Sequence, residues 1–270
     1  MSWRDVAYKD VNDASRSRTL WLLFGLLSVL FVGYAAAYTY VGDGTFAGFV
    51  AGSAGLVGGI LPILGILAGY RSISDDRADG SLLLSMALPQ SRTELLIGTA
   101  LGRVVVLLVP TLLGLSIAGL YAALRYGTEG AIAYPWFLFA TALYGASFVA
   151  AAVALSAATA NDRRLTYGAV VGYLLLVVLW RDLTAFAVAF LHRFDPGMGM
   201  PDWALLVQLA QPSEAYARLL DARFDIDRAS RYVGDSAPAF VDWWAALAIL
   251  VGWIAASLAV GYRRFESGDL

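Results

Sequence analysis

Apolar residues in this chain arrive in long unbroken runs. Six stretches, about Leu20 to Tyr40, Phe46 to Tyr70, Val104 to Leu124, Pro135 to Thr159, Leu165 to Phe186 and Trp243 to Tyr262, are long enough to cross a bilayer. A crossing takes about 20 residues at ~1.5 Å of rise per residue. Arg181 and Asp182 interrupt the fifth run in its outer third. Before the first run, Trp3, Val6, Ala7 and Val11 recur at helical spacing against Arg4, Asp5, Lys9, Asp10 and Asp13, which predicts an amphipathic helix lying in the membrane interface. Between the second and third runs, Ser81 to Ala87 is a short apolar helix stopped by Pro89, too short to span and stable only when packed. Between the fifth and sixth, Trp203 to Leu209 and Glu214 to Leu220 have helical spacing, and Ser213 can cap the second of them. The pattern predicts an all-α integral membrane protein, one transmembrane domain over residues 1–270 with six spans and a helical loop at its outer end.

Composition agrees. Of 270 residues, 59% are hydrophobic and 15% charged, and mean hydropathy is +0.67. A soluble domain is nearer half apolar and a quarter charged. Arginine placement sets the orientation. With the N-terminus inside, 12 basic residues (Arg4, Lys9, Arg16, Arg18, Arg71, Arg77, Arg92, Arg103, Arg163, Arg164, Arg263, Arg264) fall on the inner side. The short outer loop holds only Arg125, and the other outer arginines sit in one long loop where the rule weakens. Both termini are therefore expected in the cytoplasm. A formal charge of −2 gives no sign of nucleic-acid binding.

Several chemistries are excluded by absence. Lys9 is the only lysine and has no glycine-rich loop before it, so the chain has no P-loop for ATP. There is no cysteine and one histidine, His192, so HExxH and Cys/His zinc sites cannot be assembled. No catalytic motif is present and no metal site is expected. An intramembrane enzyme would need paired groups within the bilayer, and the one histidine lies outside the spans.

Within the spans the signals concern packing. Gly48 and Gly52, Gly55 and Gly59, and Gly65 and Gly69 are each four apart in the second span, which lets another helix backbone approach. Pro62 and Pro110 mark expected kinks. Arg181-Asp182 is the one charged pair in a span; adjacent residues point ~100° apart on a helix, and the arginine can snorkel outward.

The inner loop carries the most information: Asp76-Arg77, then Gly80-Ser81-Leu82, the apolar Leu83 to Leu88, Pro89-Gln90-Ser91-Arg92, and Gly98 with Gly102. On physical grounds its apolar helix rests either against its own bundle or against another protein. This order of residues resembles the permease subunit of ABC-2 type ABC transporters, in the group with six spans and no fused ATPase. Ser81 stands where threonine is usual, Asp76 for glutamate, and Thr99 where lysine is common. Lys9-Asp10 with Arg16-Ser17-Arg18 resembles the family's N-terminal elbow, and Tyr262-Arg-Arg-Phe265 its usual ending. Leu209-Ala-Gln-Pro-Ser-Glu-Ala-Tyr216 resembles its Asn-Pro stretch, with Gln211 in place of Asn.

The resemblance implies a cell-membrane subunit that works as two identical or related permeases with two separate ATPases. ATP and magnesium would belong to the ATPase, and this chain would bind no cofactor. The ATPase contact would be a coupling helix, drawing on Asp76, Arg77, Gly80, Ser81, Leu82, Leu84, Leu88, Pro89 and Arg92. Gly48, Gly52, Gly55 and Gly59 would serve helix packing or the protomer interface. Spans with almost no buried charge favour an amphipathic or lipid-like cargo over a small ion. Some members of the family serve copper-enzyme maturation, and His192, Met198 and Met200 lie close together, yet Pro196-Gly197 and Gly199 make a turn the simpler account. Two other readings stay open: a stand-alone secondary transporter, although residues 1–135 and 136–270 show no convincing repeat, and a non-transporting membrane assembly or scaffold protein. The outer loop is either a lid over an exit route or a simply packed loop.

Overall fold

A computed structural model of the chain describes residues 2–42, 44–70, 72–73, 91–159, 161–191, 200–233 and 237–267, and among them there is no strand. Helix α1 (Trp3–Arg16) starts at Ser2, whose backbone N–H donates to Asp5 Oδ2 at 2.7 Å. That bond holds the Asp5 carboxyl below its ordinary range. α2 (Arg18–Val41) and α3 (Phe46–Gly69) follow, α3 capped by Thr45 Oγ1, which accepts from the Gly48 N–H at 3.1 Å. α4 (Arg92–Tyr126) opens on a reciprocal cap between Ser91 and Glu94. After a short 3₁₀ turn come α5 (Tyr134–Ala158) and α6 (Asp162–Tyr173). A π-helical turn, Leu174–Leu179, joins α6 to α7 (Trp180–Leu191). Two short helices, α8 (Asp202–Leu209) and α9 (Pro212–Asp221), precede the last, α10 (Trp243–Ser267).

Six helical stretches are long and apolar enough to cross a membrane, in the places the apolar runs predict: Leu20–Tyr40, Phe46–Gly69, Arg92–Tyr126, Ala131–Ala158, Asp162–Leu191 and Trp243–Glu266. The third departs most from expectation. Its helix begins at Arg92, well before Val104, and its 35 residues come to roughly 50 Å, more than the ~30 Å hydrocarbon layer needs. The early turns, with Arg92, Glu94 and Arg103, are polar and were outside the apolar run for that reason. α3 and α4 both continue through their prolines, Pro62 and Pro110.

Helix α1 and the end of α10 both lie against the start of α4, at one end of the bundle, called basal below. Arg92 Nη1 donates to the carbonyls of Phe265 (2.6 Å) and Glu266 (3.1 Å). α1 lies against the start of α4, where Gly98 and Gly102 leave room for Val6 and Asp10; a Cβ on either glycine would come within 2.6 Å of them. The Ile73 N–H donates to Ser156 Oγ at 3.0 Å, and the Tyr70 and Thr166 hydroxyls are 2.6 Å apart.

α5 is the central helix. Of its most apolar window 61% is buried, against 11% for the fifth span, which therefore presents its surface to lipid or to a partner. Gly65 and Gly69 bring α3 onto α5: a Cβ there would lie 2.9 Å from Phe148 Cβ and 2.7 Å from Ala152 Cβ. Close approach of this kind substitutes van der Waals contact for the hydrophobic effect, which is weak between helices in lipid.

Candidate functional site

The loop before the last span does not stay at the distal end. α8 and α9 form a hairpin whose tip, Ala210 to Ser213, touches the middle of three spans. Tyr144 Oη donates to the carbonyl of Gly58, halfway along α3, at 3.0 Å and lies 2.8 Å from Ser213 Oγ. Trp253 Nε1, within α10, donates to the Ala210 carbonyl at 2.8 Å. Gln211 Nε2 donates to the Leu176 carbonyl in the π-turn of the fifth span. Every residue from Gln211 to Leu220 is buried. The hairpin is thus re-entrant, a fuller insertion than the distal shield that the sequence suggests.

Most buried polar groups in this hairpin are paired, as a low-dielectric site favours; Gln208 Nε2 and Gln211 Oε1 are buried without a hydrogen-bond partner among the described residues. Glu214 is fully buried; it accepts from Arg228 Nε at 2.8 Å and from Tyr232 Oη at 2.9 Å. Burial, and next the Glu214 charge, push the Tyr232 phenol above its ordinary range. Arg218 donates to Asp242 at 2.6 Å, to Asp221 at 3.2 Å and to the Val241 carbonyl at 3.1 Å. The Tyr144 and Tyr216 rings stack at 4.5 Å, and Tyr216 Oη is 3.0 Å from Thr141 Oγ1. Trp180 Nε1 holds the other arm through the Val207 carbonyl at 2.8 Å.

Between this hairpin, α3 and the fifth span is a cleft of about 680 Å³. Gly55, Gly58 and Gly59 form one wall, Tyr173 and Val177 another, and Asp225, Asp227 and Arg228 its distal rim. Tyr173 also borders a second groove of about 440 Å³ that continues between α3 and α6 towards Tyr70 and Thr166. The two cavities meet at Tyr173, one with a charged rim and the other largely apolar, and together they lie along the second and fifth spans from the distal end almost to the basal one.

The structure separates the glycines that spacing had grouped. Gly48 is half-buried in the first turn of α3. Gly52 is filled by Tyr34, whose hydroxyl lies 1.6 Å from where a Cβ would stand. Gly55 and Gly59 face open space in the cleft. Arg181 and Asp182 are exposed and form no ion pair among the described residues. Of the expected coupling loop, Asp76, Arg77, Gly80, Ser81, Leu82, Leu84, Leu88 and Pro89 lie outside the described residues, as do His192 and Met198. Arg92 is described: besides its two carbonyl bonds it sits over the Phe265 ring at 5.5 Å, so it ties the start of α4 to the end of α10. Met200 is partly exposed just before α8.

Sequence reasoning missed Glu214, Arg218 and Gln211 as buried groups. Glu214 and Arg218 are four apart on one short helix, with paired charges downstream, which is a usable signal for a folded rather than a solvated loop. Gln211 gave none beyond its place before Pro212.

Comparison with known proteins fits this geometry. Residues 4–270 match the profile of the ABC-2 family transporter proteins. The chain is 31% identical to the probable ABC transporter permease protein NosY of Pseudomonas aeruginosa, covering 97% of this chain and 96% of that one. It is 29% identical to the protein of the same description from Stutzerimonas stutzeri, over 97% of each. With six membrane-crossing helices and a family match along nearly its whole length, the chain belongs to the ABC-2 transporter family, as a multi-pass permease subunit.

Proposed function

We propose that this chain is the translocating half of an exporter, pairing with a second permease across the groove between its second and fifth spans. The adjoining cavities along these spans support the reading: Gly55 and Gly59 line the distal one with nothing against them, and the fifth span is the least buried of the six. Two such faces brought together would enclose a path with apolar walls, suited to an amphipathic or lipid-like substrate. Family membership supports export as the direction, and no described group within the path suggests an ion relay.

The work would come from a separate cytoplasmic ATPase that holds ATP and magnesium, since this chain has no phosphate-binding loop. The basal end, taken as cytoplasmic from the arginine distribution, would be the side that meets that partner. Ser91 and Arg92 fit the role of a rigid foot for the expected coupling loop: Ser91 caps α4 and Arg92 joins α4 to α10, so a push on that loop would reach two spans at once. Nucleotide-driven closure can act on such an element as a lever.

Co-expression with an ABC ATPase subunit from the same source tests the reading. Leu84→Asp or Leu88→Asp should abolish co-purification while membrane insertion is kept, and the isolated chain should hydrolyse no ATP. Unchanged co-purification, or hydrolysis by the chain alone, would overturn it.

A further inference from the structure

A second cavity, of about 680 Å³, opens at the basal end among α1, α2, α3 and α4, on the opposite flank of α3 from the distal cleft. Its mouth is charged and its floor apolar. Lys9, Asp10 and Asp13 of α1 and Arg103 of α4 stand at the mouth, the half-buried Leu20, Leu23 and Leu64 line the rest, and the exposed Leu67 forms an edge shared with the groove between α3 and α6. α1 is seated firmly enough to form a wall, because Gly98 and Gly102 let its backbone close onto α4. Arg103 Nε is 3.1 Å from Asp10 Oδ2, so those two charges largely cancel. Lys9 and Asp13, one helical turn apart, make no ion pair among the described residues.

Filling this space with water would take about twenty molecules at ~30 Å³ each, most against leucine at the depth where the spans begin. Hydrocarbon fits such a floor, and 680 Å³ is within the size range of small-ligand sites. The mouth sets the headgroup. Its charges sum to zero, with a free cation and a free anion side by side, which complements a headgroup carrying a phosphate and an ammonium. An anionic headgroup would meet Lys9 but would also face two carboxylates.

We propose that this pocket binds one zwitterionic phospholipid of the leaflet at the basal end, phosphate towards Lys9, ammonium towards Asp13, one acyl chain along Leu20, Leu23, Leu64 and Leu67. The lipid wedges the amphipathic helix against the bundle. It is distinct from any cargo in the groove, and its binding requires neither ATPase nor transport.

The test is native mass spectrometry of the purified chain after incubation with vesicles of equal parts phosphatidylethanolamine and phosphatidylglycerol. One retained phosphatidylethanolamine per protomer is expected. Asp13→Lys, a change on an exposed helix face, should turn the preference about fivefold or more towards phosphatidylglycerol, given ~1 kcal/mol per surface charge. Leu20→Trp should expel the lipid by filling the apolar part of the pocket, with circular dichroism showing the fold intact. Equal retention of both lipids, no retained lipid, or an unchanged preference in Asp13→Lys would overturn the proposal. So would a Leu20→Trp chain that keeps its lipid, or one that loses dimerisation instead, which would mean a second copy covers the pocket.

Discussion

The side-chain amide of Gln211 donates to the backbone carbonyl of Leu176, fastening the tip of the re-entrant hairpin to the π-turn of the fifth span. A π-turn carries one residue more than the α-helix it interrupts and leaves carbonyls in need of other donors. Gln211 supplies one from a different element, so the turn and the hairpin are mutually dependent. Gln211→Leu keeps the volume and removes the donor. It should cost about 1–3 kcal/mol in chemical denaturation and lower transport. A stability equal to the parent would show that the π-turn holds itself.

The Glu214 site predicts an asymmetry. Glu214→Gln keeps an acceptor for Tyr232 and weakens one bond to Arg228, whose side chain is 42% exposed and can return to water. The loss should be about 1–2 kcal/mol. Arg228→Met instead strands a fully buried carboxylate, and should cost about 3 kcal/mol or more. The double variant should recover part of that, because the stranded charge is gone. Equal losses for the two single variants, measured by denaturant titration, would contradict the pairing.

Tyr232 gives the pH dependence of the same site. Its phenol is held above the usual 10 by burial and by Glu214. The folded state thus keeps the proton more tightly than the unfolded state does. The resulting stabilisation is complete below about pH 10 and is lost as pH rises through the higher folded value. The parent protein should lose stability more steeply than Tyr232→Phe between pH 9 and about 11, read as the difference between the two denaturation curves. Parallel curves would mean that the phenol ionises freely.

These features divide sharply by how visible they are in the sequence. The spans were legible because a run of about 20 apolar residues has few other uses. Gly98 and Gly102 were legible as a spacing, though their occupants, Val6 and Asp10, were not. Helix α9 was read from its helical spacing as part of a loop at the outer end; in the structure its Glu214 and Arg218 are buried and paired with Arg228, Tyr232 and Asp242. A one-dimensional pattern records polarity and not whether a distant partner neutralises it. The π-turn was invisible for a simpler reason: Leu-Leu-Leu-Val-Val-Leu is an ordinary apolar helical run, and the side chain that bonds to it, Gln211, is more than thirty residues away.

The glycines of the second span supply the sharpest test of the protomer interface, because the structure assigns them different neighbours. At Gly69 an added Cβ would sit 2.7 Å from Ala152 Cβ and 2.9 Å from the Val149 carbonyl. Backbone cannot step aside, so Gly69→Ala should destabilise the protomer by about 1–3 kcal/mol. At Gly59 nothing lies within 4 Å. Gly59→Ala should leave protomer stability unchanged or raise it by up to ~1 kcal/mol through helix propensity. Gly59→Leu should also fold, yet it would project into the groove where the second permease and the substrate are proposed to lie. Its expected signature is a shift towards monomer in size-exclusion chromatography, with transport reduced and the unfolding midpoint retained. Should Gly59→Leu dimerise and transport like the parent, the groove is a lipid-facing surface and the path runs elsewhere.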